Sequence, residues 1–277
     1  MIDTHLPFKL PGGLLHKHRL YRQAQFLPLT GHIEFRMADV ARSPMSELER
    51  IIEILGCTVR LGPHQQPDPG LARLLCLGDR QYLMLRLSCL AGGDMVWLHP
   101  ECEQCNKRFD LQIRRSKVPV KSGGKGYPYI EHCFRGKNLR FRVPNGEDEL
   151  SIRGKPLDRA IDHLLHRCLV HNGKKAPEKN IIPGLTPDKI ETIEHAMDEA
   201  APDVGSRVET VCPECGQPQV VPISINGLPD IPMMDLYQDI HLLAQSYSWH
   251  EADILALPSW RRKLYIRFID RTRGFYG

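Results

Sequence analysis

Cys102-Glu103-Gln104-Cys105 lies between two strand-like segments, Met95-Val96-Trp97-Leu98 before it and Phe109-Asp110-Leu111-Gln112-Ile113 after it. Cys212-Pro213-Glu214-Cys215 has the same setting, following Val208-Glu209-Thr210-Val211 and preceding Val220-Val221-Pro222-Ile223-Ser224-Ile225. A hairpin whose turn carries Cys-x-x-Cys is a zinc knuckle: the two-residue gap lets both thiolates face one cation, and turn N–H groups offset their charge. One knuckle offers two ligands, whereas structural zinc takes four in a tetrahedron at about 2.3 Å. The expectation is one Zn²⁺ per chain on Cys102, Cys105, Cys212 and Cys215, in a ribbon assembled from halves with 106 residues between Cys105 and Cys212.

Competing readings of these cysteines have weaker support. A thioredoxin-type pair needs its first cysteine at a helix N-terminus, but strands follow here. A catalytic zinc keeps an open position for water, and four thiolates leave none, although Glu101, Glu103, Glu214 and His99 lie near. Cys57, Cys76, Cys89 and Cys168 fall in apolar helical stretches and read as small hydrophobes. Cys133 has no partner at ligand spacing.

Outward from the knuckles, the chain reads as if written twice. Leu48 to Cys57 is an amphipathic helix running on to Gly62, and Leu157 to Cys168 repeats the pattern and runs on to Gly173. Cys57 precedes Cys102 by 45 residues, and Cys168 precedes Cys212 by 44. A second helix opens at Asp79 in one gap and at Asp188 in the other, where a carboxylate suits free N–H groups and the helix dipole. Pro28-Leu29-Thr30-Gly31 and Val143-Pro144-Asn145-Gly146 each follow a β-like stretch and precede a helix. The fold class expected is α+β, with two pseudo-repeated helical units joined through their knuckles and a helical C-terminal extension. The boundaries are an N-terminal arm over 1–25, units over 26–120 and 140–225, a linker over 121–139, and the extension over 226–277. Pro63 to Gly70 reads as an exposed loop, Lys121 to Pro128 as breaker-rich linker, and Asn226 to Pro232 as the separator before the extension.

Composition narrows the function. The chain has 277 residues, 42% hydrophobic and 25% charged, which suits a globular protein with a sizeable core. A net charge of +4 over 37 basic and 33 acidic residues is too small to imply nucleic acid by itself. No apolar run approaches a membrane span, and the first residues lack the pattern of a signal peptide. Nine cysteines, an odd number, point to metal and a reducing compartment before disulfides. Gly123-Gly124-Lys125-Gly126 lacks the spacing of a phosphate loop, and no Gly-x-Ser-x-Gly or His-Glu-x-x-His occurs, so no enzyme is expected.

Residues 235–273 read as two helices with a short one between. The last helix, opened by Pro258, carries Trp260, Leu264, Tyr265, Phe268 and Ile269 on one face, with Arg261, Arg262, Lys263, Arg267 and Arg271 around it. Aromatics beside arginines are the composition of an interface. Tyr247, Trp249, Trp260, Arg261, Arg262, Tyr265 and Phe268 are therefore the candidate partner-binding residues; the competing reading is a basic face over an ordinary core contact.

Several of these stretches together resemble the baseplate family of contractile phage tails, which includes baseplate hub subunits and hub assembly chaperones and has relatives in phage-like injection systems. They are Leu10-Pro11-Gly12-Gly13-Leu14 leading to Pro28-Leu29-Thr30-Gly31, the two knuckles, and the run from His241 through Tyr247, Trp249 and Leu257-Pro258-Ser259-Trp260-Arg261-Arg262. The resemblance spans nearly the whole chain, and its most specific part is the tyrosine, tryptophan and Leu-Pro-x-x-Arg-Arg order near the end. The first knuckle departs from the common Cys-Pro-x-Cys-Gly form, having Glu103 and Asn106 where proline and glycine are usual. The resemblance implies a non-catalytic structural or assembly role beside hub, spike or wedge proteins, in the cytoplasm during assembly or in the finished particle. The alternative from another class is a zinc-ribbon nucleic-acid binder, which Lys107, Arg108, Arg114, Arg115 and Lys117 near the first knuckle keep open.

Overall fold

A hairpin of β1 (Phe8–His16) and β2 (Arg19–Phe26) comes first. In the computed structural model, which describes residues 6–64, 66–170, 182–223, 233–272 and 274, this hairpin packs one face onto the core. Leu10, Leu14, Ala24 and Phe26 are buried against the helices that follow. The expected arm is thus part of the first unit: alternating side chains give the hairpin one apolar face, and that face must be covered.

Helix α1 (Gly31–Arg42) starts at Thr30, whose hydroxyl accepts from the Ile33 amide. Helix α2 (Glu47–Thr58) has a reciprocal cap between Ser46 and Glu49 and buries Ile51, Ile52, Ile54 and Leu55. It stops earlier than its sequence pattern suggests. Val59 is extended and opens β3 (Val59–Leu61), which pairs with β2, as suits a β-branched residue. After α3 (Pro69–Arg73), helix α4 (Leu77–Gly92) buries Leu83, Met84, Leu85 and Leu87. Each such side chain, fully buried, contributes on the order of 2 kcal/mol. Asp79 does not cap its own helix. Its carboxylate accepts from the amides of Gly12 and Gly13 at 2.9 and 2.8 Å, at the irregularity in the β1–β2 pairing. A side chain at Gly12 would lie 2.7 Å from that carboxylate, which accounts for the glycine.

Strands β4 (Met95–Leu98) and β5 (Leu111–Arg114) form the first cysteine hairpin. Strand β6 (Val120–Lys121) leads into the second half. The expected linker over 121–139 is largely structured. Tyr127 is buried, and β7 (Tyr129–Phe134) and β8 (Lys137–Arg142) form a hairpin. Helix α5 (Gly146–Ile152), capped by Asn145, precedes α6 (Leu157–Cys168). The latter ends where β9 (Leu169–Val170) pairs with β8; Gly173, its expected limit, lies outside the described residues. Phe141, Leu165, Cys168, Ile193 and Met197 centre the second core.

Helix α7 (Pro187–Ala200) leads to β10 (Asp203–Val204), which pairs with β6 and ties the halves together. The second cysteine hairpin is β11 (Arg207–Val211) with β12 (Pro218–Pro222). Ser224 and Ile225, expected to extend its second strand, and the separator over 226–232 lie outside the described residues. The tail folds as α8 (Met233–Tyr247), α9 (Glu251–Ala256) and α10 (Ser259–Thr272). It builds a third core from Leu236, Ile240, Leu243, Ile254 and Ile269, to which the body adds Ala38 and Phe35 of α1. The fold is α+β.

Candidate metal centre

Each Cys-x-x-Cys sits at the tip of its hairpin, and the two tips are built alike. Cys102 N–H donates to Lys107 O at 3.0 Å and Asn106 N–H to Cys102 O at 2.9 Å. At the other tip Cys212 N–H donates to Gln217 O and Gly216 N–H to Cys212 O, both at 2.9 Å. The turn requires a left-handed residue after the second cysteine. Gly216 supplies it at φ 74°, and Asn106 supplies it at φ 56°. Asparagine is among the few side chains that tolerate this region, so the departure from glycine leaves the knuckle intact.

The tips meet. Cys102 Sγ lies 3.6 Å from Cys215 Sγ, and Cys105 Sγ lies 3.8 Å from Cys212 Sγ. All four sulfurs lie within 4.8 Å of one another, and the group could hold a metal ion. Sulfurs at about 2.3 Å from a tetrahedral centre are about 3.8 Å apart, so the spacing suits a four-thiolate site. Hydrogen bonding from the Cys105 amide lowers the Cys102 thiol to about 7, while desolvation and the neighbouring thiols push Cys215 up to about 12, so without a cation the four sulfurs do not all favour the thiolate. Cys102 and Cys212 are buried, and Phe109, Val221, Leu98 and Leu111 pack around the group. Lys107 pairs with Glu214 across the tips at 2.8 Å, and Gln219 accepts from the Glu103 amide at 3.1 Å. His99 is spent on Asp110 at 2.8 Å at the surface.

A family model described as T4 bacteriophage base plate protein matches residues 63–231, more than half of the chain, including both cysteine hairpins. The chain belongs to this family. It is a phage baseplate protein. No curated protein and no solved structure matches it. The match to the baseplate family ends before α8, so it covers neither the β1–β2 hairpin nor the tail.

The tail residues singled out from sequence are divided by the structure. Tyr247 stacks on Trp249 at 5.0 Å, and both meet Tyr265 edge-on at 5.8 and 5.0 Å. Arg262 is not at the surface. It is enclosed between α10, α1 and α8, paired with Glu34 and 3.7 Å from Asp239. Three- and four-residue spacing explains this: Arg262, Tyr265 and Ile269 share the inner face of α10, while Trp260, Leu264 and Phe268 share the outer one. Arg261 lies 5.9 Å from the Tyr265 ring, on the exposed side.

Sequence reasoning missed a charged cluster in the second half. Asp148 is fully buried and takes hydrogen bonds from Arg142 Nη2 at 2.8 Å, Arg167 Nε at 2.8 Å and the Asn145 amide at 3.0 Å. Burial pushes its carboxyl up, but Arg142 and the other donors outweigh this and hold it below its ordinary value. The signal available was Asn145-Gly146-Glu147-Asp148, a capping box whose acid also recruits side chains from two other elements. Among the described residues, no helix is long and apolar enough to cross a membrane.

Proposed function

We propose that this baseplate protein is a non-enzymatic structural or assembly component of the hub of a contractile phage tail or phage-like injection system. One structural Zn²⁺ on Cys102, Cys105, Cys212 and Cys215 would hold its two halves together as a ribbon. The observation that carries this reading is the convergence of two cysteine hairpins, both inside the family match, on one four-sulfur cluster. A closed set of four thiolates suits structure and leaves no vacancy for substrate.

Duplication of one unit accounts for how the two tips come to be alike. Both halves open with a hairpin whose two-residue loop has positive φ throughout, Lys17-His18 and Arg135-Gly136. Both continue with a capped, glycine-led helix, α1 or α5, and then α2 or α6. A short strand returns to the hairpin, and a further helix precedes the cysteine pair. The exposed stripe of Trp260, Leu264 and Phe268, with Arg261 beside it, suits a hub, spike or wedge partner, either in the cytoplasm during assembly or in the finished particle. Nucleic acid suits the first knuckle less well, because Lys107 and Arg108 already face Glu214 and Glu101.

Metal analysis of the purified protein should find one zinc per chain, and the protein should co-purify with a hub or spike protein. Two zinc ions per chain would mean that each hairpin recruits other ligands, and the shared site would be wrong. Retention on DNA that falls steeply with salt, without any baseplate partner, would favour the nucleic-acid reading instead.

A further inference from the structure

Arg80 and Arg262 are the two largest side chains that the fold encloses completely. Enclosing a guanidinium is costly unless its donors are matched, so each such residue needs a cause. Both arginines are the fourth residue of a long helix, α4 or α10, that follows a short one, α3 or α9. Both turn Nη1 back to the carbonyl five residues earlier, Arg80 to Leu75 at 2.6 Å and Arg262 to Leu257 at 2.7 Å. Both give Nη2 to a glutamate on another helix. Arg80 holds the two oxygens of Glu149 at 2.7 Å, and Arg262 holds Glu34.

The receiving helices correspond as closely. Glu149 and Glu34 are the fourth residues of α5 and α1, and each helix begins with a glycine three positions earlier. At both glycines a side chain would collide with the incoming segment. A Cβ at Gly146 would lie 2.9 Å from Arg73 O and Arg80 Nη1, and one at Gly31 would lie 2.6 Å from Leu255 Cδ2. A main-chain bond seals each junction, Gly146 N–H to Leu75 O at 3.1 Å and Ser259 N–H to Leu29 O at 2.9 Å. Around them α2 and α3 touch α5, just as α8 and α9 touch α1.

We propose that the tail, residues 233–272, is a docking module of the same kind as residues 47–92, and that the first turn of α1 is its binding site. The ligand class of such a site is a helix start that carries an arginine five residues after a free leucine carbonyl. Glycine admits the backbone, glutamate takes the guanidinium, and the leucine carbonyl fixes the arginine's orientation. The arrangement is directional, running from the tail to the first half and from the first half to the second. It ends there, because α7 has Lys189 in its first turn, exposed, and no arginine. None of this depends on the metal centre.

Hydrogen exchange on the full chain, with zinc content measured in the same samples, tests the proposal. Arg262→Ala should speed exchange of the α8, α9 and α10 amides at least tenfold and leave α4, α5 and the zinc content unchanged. Glu34→Ala should release the tail equally from the receiving side. Arg80→Ala should do the converse, speeding α5 and sparing α10; if it does not fold, Glu149→Gln gives the same reading from the partner. Unchanged exchange in α10 for both Arg262→Ala and Glu34→Ala would overturn the proposal. So would uniform acceleration across α4, α5 and α10, since a docking site must release its own module selectively. Loss of zinc in all variants with selective release intact would bear on the metal reading alone.

Discussion

Residues 8–114 and residues 129–222 both run from a hairpin through helices to a cysteine hairpin, although α3 in the first and β10 in the second lack a counterpart, and they are held together by different means. In the first half α2 and α4 each bury several large apolar side chains, and Asp79 is tucked beneath the Gly12–Gly13 turn. In the second half α6 buries only Leu165 and Cys168, and Asp188, in the first turn of α7, is exposed. Charge acts there as well: Asp148 with Arg142 and Arg167 inside the half, and Arg80 reaching across to Glu149. The difference teaches that an element plan does not dictate its own energetics. The first half rests on apolar burial with one enclosed carboxylate, and the second adds ion pairs and a neighbour's arginine to an apolar core of its own.

The largest effect expected is from metal. A structural zinc contributes on the order of 10 kcal/mol, comparable with the whole stability of a domain. On the proposed zinc site, Cys212→Ser or treatment with a chelator should therefore expose residues 129–222 to protease first and also loosen the hairpin over 95–114. Residues 8–92, with their own apolar core, should resist longest. Full protection of 95–114 in that variant would show that the two hairpins do not share an ion, and the comparison of the halves would lose its link.

What the sequence made legible follows from how local each signal is. Cys-x-x-Cys between strands, the caps at Thr30 and Asn145, and the apolar spacing of α2 are all short-range, and each could be read without the fold. The hairpin over 8–26 was harder, because its irregular Leu10-Pro11-Gly12-Gly13 stretch breaks the alternation that marks a strand. The helices end before their sequence patterns do, where β3 and β9 begin, since pairing with a distant strand overrides local propensity. The phase of α10 misled for a related reason: aromatics and arginines occur on both of its faces, and only α1 and α8 decide which is inside. A buried Arg80 or Asp148 leaves no local mark, because its partners lie on other elements.

Asp148 sharpens the contrast at the next scale. Removing one member of a buried ion cluster typically costs about 3–5 kcal/mol, so Asp148→Ala should lower stability by that amount in urea denaturation at pH 7. Asp188→Ala, at the exposed site, should stay within about 0.5 kcal/mol. The acid dependence has a definite sign. The folded-state carboxyl of Asp148 lies below its ordinary 3.8, so its contribution is present above pH 3.8 and fades as pH falls through the lower folded value. Stability curves of the protein and of Asp148→Asn should converge in that acid range; equal separation at every pH would refute a charged Asp148.

The smallest effect on stability belongs to the outer face of α10, where the contrast is between two sides of one helix. Ile269 is buried in the tail core, and Ile269→Ala should cost about 2–5 kcal/mol. Trp260 and Phe268 are 57% and 46% exposed, so replacing both with alanine should change the urea midpoint by no more than about 0.5 kcal/mol. Two large aromatics left in water beside Arg261 nevertheless have the character of partner anchors, where a truncated aromatic can cost 2 kcal/mol or more of binding, roughly thirtyfold each. The double variant should therefore be folded, with the metal content of the native chain, yet fail to enter baseplates when tails are assembled with it in place of the native chain. Truncation of residues 252–277 is a blunter form of the same test, because it also strips Arg262 from Glu34 and removes Ile254, Leu255 and Ile269 from the tail core. Normal incorporation of the Trp260→Ala, Phe268→Ala protein would mean that the exposed stripe touches no partner, and the binding surface would have to lie elsewhere on the body.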